Sequence, residues 1–237
     1  MPSTLGIVAS AKKNAPPYNP LSIPWHAAYW ASDPAWTPPV DGATVAAWRD
    51  GSGNGRTMAP SAGGPPTYRS ASSVLSGKPG IQFAGSTDLA SPTFPGLPFP
   101  PLSLVAVISL TTPAAGGWFQ GGSEAGNSVA GGAFSSQWQA YAGAASTPLG
   151  GVADTGKHLV YWQFDATGVK GYVDGALVTS GATGAISPGQ WALGRWPASG
   201  AAWCASTIGF AGFKTATLTA QETSDMLAWS RSFYGTP

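Results

Sequence analysis

Asp50, Ser52 and Asn54 stand at alternate positions in Trp48-Arg49-Asp50-Gly51-Ser52-Gly53-Asn54-Gly55. Oxygen ligands are spaced in this way in a calcium loop, and Gly55 falls where an EF-hand needs its sharp turn. The twelfth position, which should supply a bidentate Glu, is Ser61, and no helix-forming flanks are present. The stretch is therefore not an EF-hand. A different calcium site remains open, with these three oxygens completed from elsewhere, since calcium takes six to eight. The competing reading is a fold-setting turn. In it Asp and Asn bond their own backbone, the glycines allow positive φ, and Trp48 is packed.

Other chemistry is thinly provided. Glu124 and Glu222 are the only glutamates. Glu222 stands three residues after Thr219, as in a capping box, and Glu124 lies in a glycine-rich loop. No local pair of carboxylates suggests a glycosidase. His26 and His158 are the only histidines, and His158 reads as a strand-edge or core residue. There is no Gly-X-Ser-X-Gly elbow, Walker loop or dinucleotide fingerprint. Cys204, the single cysteine, excludes an intrachain disulfide and a cysteine-rich zinc site. Its small apolar surroundings predict burial.

Polar and aromatic residues on strand faces are the remaining candidates. Gln137, Gln139 and Tyr141 alternate on one strand, Tyr161 and Gln163 on another, and Tyr172 lies on a third. If these strands adjoin, they form a surface suited to sugars, rings against C–H faces and amides to hydroxyls. An ordinary solvated face or a protein contact is the alternative.

These residues need a framework of short strands. The 237 residues include 33 Gly and 22 Pro, with only 9% charged side chains. Eleven Trp and nine Phe supply too much aromatic mass for a disordered chain. Many turns and many aromatics predict an all-β sandwich or barrel. Leu102 to Leu110 reads as a central strand buried on both faces. Further strands are predicted at 80–83, 137–142, 158–164, 190–195 and 206–214. Asp174-Gly175 is the type I′ turn of a hairpin over 171–178. Thr219 to Gly235 bounds one helix, with Thr223, Met226, Leu227, Ser230 and Phe233 or Tyr234 on its stripe.

Residues 1–40 read as a proline-rich N-terminal arm and packing segment, with Trp25, Trp30 and Trp36 packed on the domain, and 41–237 as one domain. The net charge of +1 shows no basic patch, so no nucleic-acid partner is expected. No apolar run predicts membrane insertion. The start lacks a charged, apolar leader, so synthesis in a reducing cytoplasm is expected.

The ordered set of motifs resembles the concanavalin A-like, laminin-G-type lectin and glucanase jelly rolls of phage and bacterial surface proteins. It runs from Val45–Gly55 through Gly77–Gly85, Gly171–Gly175 and Leu193–Arg195. It closes with Ile208–Phe213, Leu218–Glu222 and Phe233–Gly235. The resemblance implies a jelly-roll β-sandwich with one C-terminal helix. The glucanases' Glu-X-Asp-X-X-Glu-type strand is missing, and of the lectins' calcium loops only Asp50, Ser52 and Asn54 match. Pro2 to Ser10 resembles the start of minor tail proteins of actinobacterial phages. That implies a non-enzymatic virion component made in a host cytoplasm, contacting other virion proteins and forming a homo-oligomer within an assembly. The alternatives are a carbohydrate-binding module for host cell-surface glycan, a capsid decoration protein and, last, a glycan hydrolase. No cofactor is expected beyond the calcium alternative.

Overall fold

The computed structural model describes residues 18–95, 97, 101–114, 117–122, 128–143, 145–147, 151–182, 184, 187–195 and 203–237. The predicted arm lies outside these up to residue 17, as does Glu124. In chain order the strands are β1 (Ala27–Trp30), β2 (Thr67–Ser72), β3 (Lys78–Ala84), β4 (Leu89–Ala90), β5 (Leu102–Leu110), β6 (Gly117–Gly122) and β7 (Val129–Phe134). They continue as β8 (Gln137–Ala142), β9 (Ala145–Thr147), β10 (Lys157–Asp165), β11 (Gly168–Val173), β12 (Ala176–Gly181), β13 (Trp191–Leu193) and β14 (Ala205–Lys214). Helix α1 (Ala220–Tyr234) closes the chain.

The strands form two antiparallel sheets packed as a jelly-roll sandwich. One has eight strands in the order β12-β11-β10-β5-β14-β3-β2, with β1 also paired to β14; the other has six, β4-β13-β6-β7-β8-β9. β5 is buried along its whole length, as its apolar run predicts. Leu104, Ala106 and Ile108 join the core between the sheets, while Val105 and Val107 join a second cluster with Met226, Trp229 and Tyr234 of α1. The helix thus covers the outer face of the eight-stranded sheet. Thr219 and Glu222 form the predicted capping box, and Gly235 ends the helix at φ +67°. The Asp174-Gly175 turn has positive φ at both residues, as type I′ requires.

Residues 21–40 differ from the expected packing segment. Trp25 is buried there as predicted, but Ala27–Trp30 is a strand of the main sheet, in register with Phe210 to Phe213. Part of this segment therefore belongs to the sandwich.

Glycines in the six-stranded sheet make room for rings. A Cβ on Gly131 would stand 2.5 Å from Trp162 Cζ3, and Trp162 is in the core. The Gly131→Ala variant is therefore expected to lose about 1–3 kcal/mol through overpacking. Urea denaturation checks this, and an unchanged midpoint would contradict it. Gln120 ties the sheets together from within, donating from Nε2 to Val105 O and Gly212 O, each at 3.0 Å.

His158 makes a clamp at the sandwich edge. Its Nδ1 lies 2.6 Å from Asp174 Oδ2 and its Nε2 lies 2.9 Å from Asp154 Oδ1. Carboxylates only accept, so both ring nitrogens must carry protons. Burial opposes the charged ring, but the bonds to Asp174 and Asp154 outweigh it and raise the His158 pKa above 6.5. Asp154 is held below 3.8, chiefly by its bond to His158. The imidazolium's stabilisation is complete below the unfolded histidine value and is lost as pH rises through the raised folded value. The Asp154 contribution is present above the unfolded carboxylate value and lost on acidification. The gap in unfolding free energy between wild type and His158→Asn should therefore be widest between about pH 4 and 6.5 and narrow on the alkaline side. Urea titrations of both proteins at pH 5.5 and pH 9 test this; an equal gap at the two pH values would contradict it.

Candidate functional site

The Trp48–Gly55 stretch folds as a self-bonded turn. Asp50 is 4% exposed. Its Oδ1 accepts from Ala28 N at 3.1 Å and Ser52 N at 2.9 Å, and its Oδ2 accepts from Arg56 N at 2.9 Å. Asn54 Nδ2 donates to Trp25 O at 3.0 Å, to His26 O at 3.3 Å and to Ser52 Oγ at 3.2 Å. Gly51 N donates to Ala28 O at 2.7 Å. Asp50 thus fastens the turn to β1 through Ala28, Asn54 ties it to the two residues before β1, and Ser52 bonds within the turn. Trp48 is fully buried beneath it.

The six polar and aromatic candidates divide between the sheets. Gln137, Gln139 and Tyr141 share one face of β8 in the six-stranded sheet, with Gln137 exposed and the other two half-buried. Tyr161, Gln163 and Tyr172 meet on the outer face of the eight-stranded sheet, where Tyr161 and Tyr172 are register partners. Their rings stack at 4.7 Å and 9°, and Tyr161 is 3% exposed. Leu218, Thr223 and Leu227 wall the same cleft of about 440 Å³. The Tyr161 ring is thus engaged by Tyr172, and Gln163 Nε2 donates to Leu218 O at 3.3 Å. The two trios form two separate surfaces.

A larger groove opens where the Asp50 turn, the end of β1 and α1 meet. Its volume is about 800 Å³, within the ~300–1,000 Å³ range of small-molecule sites. Trp30, Trp229 and Phe233 supply its aromatic wall. The Trp30 ring stands edge-on to Trp229 at 5.9 Å and to Phe233 at 5.7 Å, while Trp229 and Phe233 stack at 6.0 Å and 14°. Trp30 and Phe233 are half-buried, and Trp229 is buried.

Polar groups face this wall. Asp33 Oδ2 accepts from Arg49 Nη1 at 2.5 Å, and Asp33 Oδ1 accepts from Ala35 N at 2.9 Å. The Asp33 side chain is 4% exposed, whereas that of Arg49 is 41% exposed. The buried carboxylate thus holds the guanidinium, which keeps N–H donors at the groove surface. Asn19 and Ser232 add an amide and a hydroxyl at the exposed rim. Asn19 caps the Pro20–Ser22 turn through Oδ1 to Leu21 N. Tyr18 also lines the groove; burial first, then Asp225, pushes its phenol up to about 12, so it stays neutral. Gly51 packs under Leu21, whose Cδ1 would stand 2.8 Å from a Cβ there and would have to shift.

The sequence by itself gives these groove residues no site role. Arg49 sits inside the motif that marks the fold, and Phe233 was placed on the helix stripe. Trp30 was expected only to pack. Their common signal is a large aromatic or planar side chain, with Trp30 and Phe233 near the ends of β1 and α1 and Arg49 in the turn after Trp48.

The described carboxylates all carry structural bonds. Asp33, Asp50, Asp154 and Asp174 are engaged as above, and Asp88 bonds Arg195. Asp41 accepts from Ser70, Asp165 from Thr167, Asp225 from Gln221, and Glu222 from Lys214 and Thr219.

No sequence family and no curated protein matches this chain. Solved structures resemble it in fold. Trypanosoma rangeli sialidase in complex with sialic acid aligns at a TM-score of 0.58 and 14% identity, over 89% of this chain and 33% of that one. The botulinum neurotoxin serotype G binding domain aligns at 0.60 and 12%, over 89% of this chain and 54% of that one. The serotype D/C binding domain aligns at 0.61 and 9%, over 90% and 53%. The chain spans about a third of the sialidase and about half of the toxin domains. At these identities the likeness establishes the architecture, a β-sandwich of lectin-like type, and transfers no residue's role.

Proposed function

We propose that this protein is a non-catalytic carbohydrate-binding sandwich whose glycan site is the groove between Trp30, Arg49 and Phe233. One observation carries this reading. A single groove joins an aromatic wall to a guanidinium held in place by a buried carboxylate. Sugar rings need an apolar surface for their C–H faces and planar donors and acceptors for their hydroxyls, and both are present. The two toxin structures are binding domains, which is compatible with a binding role.

The test is an oligosaccharide array probed with wild type and Ser232→Trp. Ser232 is exposed at the rim, so an indole there fills the groove without disturbing the core. Wild type should retain at least one glycan class that the variant loses. Wild type that retains none, or a variant that retains all, would contradict the proposal.

The setting we propose is a virion surface, where the sandwich would contact host-surface glycan and the arm would contact neighbouring virion proteins. This rests on the likeness of residues 2–10 to phage tail-protein starts. Mass spectrometry of purified particles tests it, and absence of the chain from them would contradict it.

A further inference from the structure

A second groove lies on the outer face of the eight-stranded sheet, beyond the part that α1 covers. Its floor is a row of polar residues in direct register: Gln82 on β3 faces Thr207 on β14, and Thr207 faces Ser109 on β5. In the next row outward-facing Phe210 and Val107 lie under the helix cluster. The polar row is therefore a local break in an apolar face. Thr207 is 4% and Ser109 3% exposed, so these hydroxyls sit deep. The groove holds about 570 Å³, and Asp41, Arg69 and Thr155 also line it.

Several polar groups of this groove are open to solvent rather than bonded within the protein. Arg69 Nε donates to Gln82 Oε1 at 2.8 Å, and Ser109 Oγ donates to Thr155 O at 2.9 Å. Asp41 Oδ1 accepts from Ser70 N at 2.7 Å. Among the described residues, no side-chain partner falls to Gln82 Nε2 or to the hydroxyls of Thr207 and Thr155. The groove therefore presents amide and guanidinium donors, a carboxylate acceptor, and hydroxyls that do both. One guanidinium and one carboxylate balance, so an anion gains nothing from the site. Sugar hydroxyls both donate and accept, and match such a mixed array. No ring is present, so the groove would grip the hydroxyl edges of a chain rather than stack on its faces.

We infer that this groove is a second binding site, for a neutral, hydroxyl-rich saccharide chain. It stands independently of the aromatic groove, because none of its lining residues is shared with that site. Together the two sites would give one sandwich two holds on a polymer and raise its apparent affinity by avidity.

The experiment is a nitrogen-15 NMR titration that follows the Gln82 side-chain amide, Arg69 Nε and the Trp30 indole. The probes are hexasaccharides of β-1,4-glucose, β-1,3-glucose, α-1,4-glucose and β-1,4-N-acetylglucosamine, with α-1,4-galacturonate as the charged control. We expect the Gln82 and Arg69 signals to move with at least one neutral probe, in wild type and in Trp30→Ala alike. In Thr207→Val, which keeps the side-chain shape, binding read at Gln82 should weaken about tenfold, the loss of roughly one hydrogen bond. Should Thr207→Val misfold, Arg69→Leu on β2 must weaken the Gln82 response instead. Gln82 and Arg69 signals that stay still with every neutral probe, that move only with galacturonate, or that are indifferent to both substitutions would overturn the inference. Failure of the aromatic-groove reading would appear separately, as a Trp30 indole unmoved by any probe.

Discussion

Asp88→Ala should lower the unfolding free energy by about 3–5 kcal/mol, the cost of removing one partner from a buried ion pair. Asp88 is fully buried. Its Oδ2 accepts from Arg195 Nε at 2.7 Å and Ser61 Oγ at 2.5 Å, and its Oδ1 accepts from Gly63 N at 2.8 Å. Burial alone would raise this carboxyl, but Ser61, Gly63 and Arg195 outweigh it and hold the pKa below 3.8. The alanine variant leaves the Arg195 side chain, 8% exposed, without its carboxylate and removes the acceptor for the 61–63 loop. Asp88→Asn keeps the shape but not the charge and should fall between alanine and wild type. Equilibrium urea unfolding of the three proteins measures this, and a loss below about 1 kcal/mol, the upper end of what exposed pairs typically contribute, would contradict it.

Trp30→Ala should weaken glycan binding by about 30- to 700-fold, the ~2–4 kcal/mol typical of a central aromatic anchor. Trp30 stands edge-on to both Trp229 and Phe233, so its removal also loosens the aromatic wall. Ser232→Trp separates binding from stability, because it occludes the groove from an exposed position. Calorimetric titration should find both variants deficient, with only Trp30→Ala also lowering the unfolding midpoint. If Trp30→Ala lost stability while Ser232→Trp bound normally, the tryptophan would be a packing residue alone.

Much of the sandwich was legible in sequence. β5, β10 and β14 are long, apolar or alternating, and α1 carries both caps and a stripe. β6 and β7 escaped, because their residues answer to the rings opposite rather than to strand propensity. Gly131 and Gly122 are shaped by Trp162 and Trp191, and glycine is depleted from strands where no such ring demands it. β1 was hidden among prolines. The Asp50 turn was readable as a turn, since Asp and Asn bonding to local backbone is a short-range matter. The groove was not. Trp30, Arg49 and Phe233 come from opposite ends of the chain and meet only because β1 pairs with β14 and α1 folds back over that sheet. Alternation groups Gln137, Gln139 and Tyr141 on one strand and Tyr161 and Gln163 on another, but which of these faces share a surface with each other or with Tyr172 depends on strand order, which is set by long-range pairing.

The most direct test of the glycan site is a crystal structure with the tightest oligosaccharide from the array. A sugar ring against Trp30 or Phe233, with a hydroxyl on Arg49, is the predicted result. Sugar bound instead over Gln137, Gln139 and Tyr141 of the six-stranded sheet, with the aromatic groove empty, would contradict it.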